Sequence, residues 1–179
     1  MQRKLSSQHL CRLAGRPIQL LERCVFTDNL LFVQQLVNEG KMSGLENALY
    51  QAWFSPMADL FPELAPDAFI YLRAPPPICY DRLKHRSRSE ESSIPLEYLE
   101  QLHEKHENLF MKCSRAVAGH PEVPPHGGYC VRTLLGSETH KALHGRPVLV
   151  LDWSGHRLAS KPEDRAALAQ RIREFIVDI

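Results

Sequence analysis

Short apolar runs separated by amphipathic stretches dominate the hydrophobic pattern of this chain. Residues 18–21, 68–72 and 148–151 are mostly apolar and are bounded by charged residues or prolines, which is typical of strands buried in a parallel sheet. Apolar residues between these runs recur at helical spacing. The alternation predicts an α/β fold, with a parallel sheet and flanking helices, in a single domain over Met1–Ile179.

Several segments have the periodicity and end signals of helices. They are residues 8–13, a segment from Thr27 or Asp28 to Gly40, a segment from Ser43, a segment that starts in the proline run 75–77, residues 95–117, and Pro162–Val177. Residues 118–146 are rich in Gly, Pro and His and show no clear period, so we expect a surface insertion there.

The helix that starts at Ser43 is the best defined, because Glu46 three residues later completes a capping box. Within it, Leu49 and Trp53 are expected to face the core. Trp53 is therefore interpreted as a core residue and not as a stacking platform for a ligand.

Composition narrows the class of protein. The chain has 179 residues, 44% of them hydrophobic, and a formal net charge of +1, so it has no bulk attraction for nucleic acid or membrane. Its five cysteines follow no CxxC spacing, which indicates a reduced, intracellular protein. The basic first 21 residues weakly resemble a mitochondrial presequence, although a basic helix within the fold fits them better. The compartment predicted is the cytoplasm or the mitochondrion.

A local cluster of cations stands out against this neutral background. Arginine suits phosphate because its planar guanidinium offers paired donors and keeps its charge. A solvated basic face would give the same pattern, so the cluster alone does not distinguish a phosphate site from a solvated surface. The cations are Arg82, Lys84, Arg86 and Arg88, followed at once by the acids Glu90 and Glu91.

Histidines and one cysteine in residues 118–146 raise the question of a metal site. Their spacing matches no zinc pattern, so we interpret them as part of a solvated loop. They are His120, His126, Cys130, His140 and His144.

Three motifs in sequence order resemble the deoxyribonucleoside kinase family. They are ERCVFTD at residues 22–28, the apolar run with its arginine at 68–73, and residues 82–107, which include IPLEYLE and the following LH. The resemblance runs from about Pro17 to Glu107 and resumes at residues 147–152. It implies a P-loop-kinase-like (Rossmann-like) sheet, ATP and Mg²⁺ as cofactors, and transfer of the γ-phosphoryl group to the 5′-hydroxyl of a deoxynucleoside. It also implies a homodimer.

The resemblance also implies roles for individual residues. Glu22 would help to hold Mg²⁺, and Arg23 would lie beside the 5′-oxygen. Asp28 would reach the edge of the nucleobase, and because a carboxylate accepts from an exocyclic amine, cytosine or purine deoxynucleosides are favoured.

The basic cluster corresponds to the lid of these enzymes. Arg82, Arg86 and Arg88 would contact ATP and its phosphates, and Glu91 would bind the 3′-hydroxyl of the sugar. The abrupt change from basic to acidic residues then has a reason, since one end of the lid meets phosphate and the other meets sugar.

The family's GxxxxGK[ST] phosphate loop is not found in this sequence. We therefore expect the C-terminal two-thirds of the family domain, N-terminally truncated and without the loop lysine, the general base and the central first strand of the sheet. Unpaired buried strand edges cost about 1–3 kcal/mol per backbone group. The hypothesis is that the chain is a fragment or isoform, or that it repacks or borrows a strand.

Three functions remain open from the sequence. The first is a deoxynucleoside kinase for nucleotide salvage, of which this chain is a part that is inactive alone. The second is a non-catalytic nucleoside-binding or dimerisation module derived from such a kinase. A nucleic-acid-binding fragment is the weakest, because the net charge is close to zero.

Overall fold

The structure is a computed structural model that describes residues 18–91, 93–135, 139–155 and 162–179, with residues 162–164 described by their backbone only. The helix expected at residues 8–13 lies outside this part of the chain, as does most of the basic N-terminal segment. Within the described ranges, no helix is both long enough and apolar enough to cross a bilayer.

The chain divides into two compact units. The first comprises the described residues of Met1–Pro66 together with His140–Leu143, and the second comprises those of Asp67–Thr139 and His144–Ile179. The described elements of the first unit are all helical, and the sheet belongs to the second.

Two helices form most of the described part of the first unit. Helix α1 has three consecutive segments, Val25–Thr27, the π-helical Asp28–Val33 and Gln34–Asn38, and helix α2 is Gly44–Leu60; short 3-10 turns follow at Pro62–Leu64 and Lys141–Leu143. The Ser43 hydroxyl accepts from the Glu46 amide at 3.2 Å, and the Glu46 carboxylate accepts from the Ser43 amide at 2.8 Å. The predicted capping box is confirmed.

Aromatic rings make the core of this unit. Phe26 packs edge-on against Phe54, with ring centroids 5.6 Å apart, and His140 lies 5.1 Å from Phe26. The expectation that Trp53 and Leu49 face the core is wrong, because their exposed fractions are 73% and 55%. Helix α2 buries only a narrow stripe, Phe54 and Ala58, so its remaining apolar residues stay in contact with solvent.

The second unit contains a four-stranded mixed sheet in the order β1-β4-β3-β2. The strands are β1 (Phe69–Arg73), β2 (Ser114–Ala116), β3 (Tyr129–Leu134) and β4 (Pro147–Asp152). The β1–β4 pair is parallel, and β3 is antiparallel to both of its neighbours. The predicted α/β class is confirmed, and the parallel pairing holds for the two runs at 68–72 and 148–151.

The strand expected at residues 18–21 is not formed. Ile18 and Leu20, which precede α1, are 53% and 70% exposed. A strand gains stability from a buried face, and these two side chains are not buried.

The surface insertion expected at residues 118–146 contains β3, an interior strand of the sheet, which corrects that prediction. Its inward positions are Cys130, Arg132 and Leu134, all buried. Arg132 interrupts the alternation of apolar residues, so the sequence pattern does not predict this strand. It is kept inside the fold by its donors, with Nε 2.7 Å from the Ser114 hydroxyl and Nη2 3.0 Å from the Met111 carbonyl.

The described part of the second unit also contains the helices α3 (Pro76–Arg86), α4 (Leu96–Glu107), which continues as the π-helical Asn108–Lys112, and α5 (Pro162–Val177). The helical pattern expected up to Val117 ends earlier, because the chain enters β2 at Ser114. One cluster of the core contains Leu149, Leu151 and Phe175, with Ile70, Tyr129, Val131, Leu168 and Ile172 packed against them. Strand β1 is an edge of the described sheet.

Candidate functional site

The two parallel strands of the second unit end side by side. Arg73 and Asp152, the last residues of β1 and β4, are partners in the register, and the Trp153 amide donates to the Arg73 carbonyl at 2.7 Å. Open α/β sheets bind ligands at the carboxyl ends of their strands. A ligand site is therefore expected at this edge of the sheet.

Asp152 fixes the loops at this edge. Its carboxylate accepts from the Gly127 amide at 2.7 Å and from the Ser154 hydroxyl at 3.0 Å, and the His126 ring lies 3.3 Å away. Burial alone would raise the pKa of Asp152, but these hydrogen bonds hold that pKa below its usual value. Asp152 was not among the predicted site residues, although its place directly after an apolar strand could have indicated it.

Arg73 is held by the helix that follows the lid. Its Nε and Nη2 donate to the two carboxylate oxygens of Glu107 at 2.8 and 2.9 Å, and the Tyr71 hydroxyl donates to Glu107 at 3.0 Å. The pKa of Tyr71 is raised, first by burial and then by the charge of Glu107. This network joins the end of β1 to the end of α4.

Arg82 is the first predicted lid arginine, and it contacts the loop after β4. Its Nη2 donates to the Trp153 carbonyl at 2.8 Å and to the Ser154 carbonyl at 3.1 Å. The side chain therefore lies at the carboxyl edge of the sheet, where it is partly buried.

Arg86 and Arg88 are gathered by Glu91. Arg86 donates through Nε, at 3.0 Å, and through Nη2 to Oε2 of Glu91, and Nη1 of Arg88 lies 3.5 Å from Oε1. The structure thus brings three of the predicted lid residues together.

Glu22 and Arg23 precede α1 in the first unit, and both are exposed. Arg23 has φ +64°, an uncommon conformation for a residue with a Cβ. Its guanidinium lies 4.0 Å from the centroid of the Phe32 ring. Strained backbone of this kind is often found at functional sites.

Asp28 begins the π-helical segment of α1 and is partly buried. Its charge contributes, after burial, to the raised pKa of Tyr50 on α2, which indicates that the two side chains are near each other. Phe32 follows four residues later, about one turn of this wider helix. Phe32 was not among the predicted site residues, although its position one helical turn after the candidate Asp28 could have indicated it.

Next to Asp28, Asn29 is locked to α2. The Asn29 and Gln51 side-chain amides exchange hydrogen bonds of 3.2 and 2.9 Å, with Asn29 only 6% exposed. The pair fixes how α1 and α2 face each other beside the candidate base contact.

The predicted site residues therefore form two groups, one in each unit: Glu22, Arg23 and Asp28 at the start of α1, and Arg82, Arg86, Arg88 and Glu91 around the end of α3. The part of the chain that the structure describes has no group of three or more His, Cys, Asp or Glu side chains that could hold a metal ion.

Comparison with known proteins gives the family. A family model described as deoxynucleoside kinase matches residues 2–177. Deoxycytidine kinase 2 of Gallus gallus is 43% identical over 104 residues, which cover 57% of this chain and 39% of the relative. Mitochondrial thymidine kinase 2 of Macaca fascicularis is 35% identical over 114 residues, 64% of this chain and 42% of the relative. Mitochondrial deoxyguanosine kinase of Xenopus laevis is 36% identical over 102 residues, which cover 56% of this chain and 38% of the relative.

The matched part spans about four-tenths of the length of these curated relatives. The family model, in contrast, extends over nearly all of this sequence, including the segments that hold both groups of candidate residues. The chain belongs to the deoxynucleoside kinase family.

Proposed function

We propose that the chain belongs to an enzyme that transfers the γ-phosphoryl group of ATP to the 5′-hydroxyl of a deoxynucleoside. The observation that carries the proposal is the group at the end of α3, where Arg86, Arg88 and Glu91 lie in contact. Phosphoryl transfer is catalysed mainly by positioned charge. This group offers two guanidinium groups for phosphate oxygens and a carboxylate for a hydroxyl.

In this proposal, the arginines of the lid bind the triphosphate. The side chains of Arg86 and Arg88 are half or more exposed. Arg82 contacts the carboxyl edge of the sheet, from where it would reach ATP. Guanidinium N–H groups match phosphate oxygens in pairs, so they hold the migrating group and neutralise its charge.

The proposed contacts of the deoxynucleoside are those that the family resemblance implies. Glu91 accepts from the 3′-hydroxyl, Arg23 lies at the 5′-oxygen, and Asp28 accepts from the base. As the 5′-oxygen forms its bond to phosphorus, the bond from phosphorus to the β-phosphate oxygen breaks, ADP leaves, and the hydroxyl proton passes to solvent.

Glu22 is the proposed Mg²⁺ contact, directly or through water. Its carboxylate is exposed. Mg²⁺ keeps several waters and is usually held by one or two carboxylates together with substrate phosphates. A single exposed carboxylate fits that donor set, and the ion would neutralise charge on the triphosphate.

Cytosine or purine deoxynucleosides are the proposed substrates. The support is Asp28, because its carboxylate can accept from the exocyclic amine of cytosine or adenine, whereas thymine presents a carbonyl there. Deoxycytidine and deoxyguanosine kinases are among the relatives.

The second candidate is a non-catalytic module that binds nucleosides or dimerises. It is favoured by one observation, that the sequence contains no GxxxxGK[ST] motif. That this chain is inactive by itself remains a prediction, as do a homodimer and a location in the cytoplasm or mitochondrion.

Turnover by the chain itself separates an active kinase from the non-catalytic module, and it also tests the prediction that this chain is inactive alone. The purified chain is incubated with ATP, Mg²⁺ and deoxycytidine or deoxyguanosine, and the 5′-monophosphate is measured. Product above background supports the kinase, and Arg86→Met is then expected to reduce kcat/KM by about 10³-fold, because it removes a cation at the phosphoryl group. Lys84→Met removes an equal charge from the same helix and should have little effect.

Saturable nucleoside binding without product would support the module. A chain that binds neither ATP nor nucleoside would contradict both candidates.

A further inference from the structure

The Glu91 carboxylate is held by the two arginines that are proposed to bind phosphate. Oε2 accepts two hydrogen bonds from Arg86, and Oε1 faces Arg88 at 3.5 Å. An ionised carboxylate has about four acceptor positions; Arg86 donates to two of them, and Arg88 lies beside the other oxygen. The Glu91 side chain is 20% exposed, whereas Arg86 and Arg88 are 50% and 60% exposed.

The local backbone creates this arrangement. Ser87 ends α3 with φ +51°, and its hydroxyl donates to the Lys84 carbonyl at 2.8 Å. The left-handed turn reverses the chain into the 3-10 turn Ser89–Glu91, where the Glu91 amide donates to the Arg88 carbonyl at 3.1 Å. The turn thus delivers the carboxylate back to the end of the helix that carries Arg86.

A carboxylate and a phosphate compete for the same donors. Both present paired oxygens to the guanidinium fork, so an N–H group that donates to Glu91 cannot donate to a phosphate at the same time. In the same way, a Glu91 carboxylate held by two arginines has little acceptor capacity left for a sugar hydroxyl.

We propose that Glu91 is an internal competitor that occupies the phosphate site of the ligand-free lid. Binding of a triphosphate displaces it and releases its carboxylate for the 3′-hydroxyl, so the two ligands bind with positive coupling. The second step rests on the proposed function; the first does not, because it requires only that Arg86 and Arg88 bind polyphosphate.

The expected effect is modest, since these ion pairs are partly exposed. Exposed pairs each change an equilibrium by a small factor, so removing two of them is expected to tighten polyphosphate binding by about two- to tenfold. Screening by salt should reduce this gain.

The test compares Glu91→Gln with Glu90→Gln in the full chain, using inorganic tripolyphosphate as the probe and calorimetry as the readout. Both variants remove one negative charge, one residue apart. Glu90 is exposed and makes no ion pair among the described residues, so it controls for the change in net charge. We expect Glu91→Gln to bind tripolyphosphate more tightly than Glu90→Gln, with the difference smaller at high salt.

Equal affinities of the two variants would overturn the competition, and so would weaker binding by Glu91→Gln in a chain that keeps the circular dichroism spectrum of the parent. Failure of all three proteins to bind tripolyphosphate would overturn it as well. None of these outcomes depends on turnover, so the inference can fail while the kinase proposal stands.

The coupling is tested by titrating deoxycytidine and deoxyguanosine with and without saturating tripolyphosphate. In the parent chain the polyphosphate is expected to tighten nucleoside binding severalfold, and in Glu91→Gln this increase should disappear. An unchanged nucleoside affinity in the parent would contradict the coupling, even if the competition is observed.

Discussion

Glu107 shows how burial and pairing compete at a single residue. Burial alone would raise the pKa of Glu107. The hydrogen bonds and the charge of Arg73, together with the hydrogen bond from Tyr71, outweigh burial and lower this pKa below the ordinary value of 4.5. A carboxylate with a depressed pKa in the fold stabilises the fold above that ordinary value. Its contribution is lost as the pH falls through the lower pKa of the folded state.

We therefore predict that Glu107→Gln destabilises the chain at neutral pH and that the difference from the parent shrinks below about pH 4.5. Urea unfolding of both proteins between about pH 3 and pH 8 measures this dependence. Glu104→Gln is the control, because Glu104 is exposed on the same helix. A difference that stays constant down to pH 3 would show that the charge of Glu107 does not matter.

At the scale of the element, the start of α2 depends on one cap. The Ser43 hydroxyl satisfies the Glu46 amide, and the Glu46 carboxylate satisfies the Ser43 amide and hydroxyl. Few of the side chains of α2 are buried, with Phe54 and Ala58 as the fully buried ones. A helix with little tertiary packing relies more on its end contacts.

Ser43→Ala is predicted to destabilise α2 by about 1 kcal/mol, within the usual range of about 0.5–2 kcal/mol for a lost N-cap. Hydrogen exchange in Gly44–Leu60 should then be about fivefold faster near the N-terminus of the helix. Ser55→Ala, an exposed change in the middle of the same helix, should leave exchange unchanged or slower. The same acceleration in both variants would mean that the cap has no special role.

For the whole molecule, the two tryptophans report on opposite environments. Trp53 on α2 is 73% exposed, and Trp153 after β4 is 8% exposed. The sequence pattern suggested that Trp53 was a core residue, so fluorescence tests the tertiary structure directly.

Trp53→Phe is predicted to shift the emission to shorter wavelength and to reduce quenching by acrylamide, because only the buried Trp153 remains. Trp153→Phe should do the reverse, and the parent should lie between them. Comparing the parent with Trp53→Phe is sufficient if Trp153→Phe does not fold. Strong quenching of Trp53→Phe would contradict the burial of Trp153.

Local signals made much of this protein predictable. The capping box at Ser43, the helix that begins in the proline run and the apolar strands β1 and β4 were readable because each depends on neighbouring residues. The family motifs also identified Arg86, Arg88 and Glu91, which the structure places in contact. Their proposed roles remain predictions.

Long-range pairing made the rest unpredictable. The sequence does not predict β3 because Arg132 occupies a buried position. A buried arginine is stable here only because Ser114 and Met111 supply acceptors from another part of the chain. The strand expected at residues 18–21 had the right composition, but Ile18 and Leu20 remain exposed. Composition does not reveal whether an apolar segment finds a surface to pack against.

The sequence by itself determined the α/β class, the main helices, the parallel pair of strands and the family, because these follow from periodicity, caps and contiguous motifs. Only the tertiary structure decided which apolar residues are buried, which strands lie inside the sheet, and that Glu91 turns back onto Arg86 and Arg88. Those outcomes depend on which distant residues meet, and a one-dimensional pattern of polar and apolar residues does not specify such meetings.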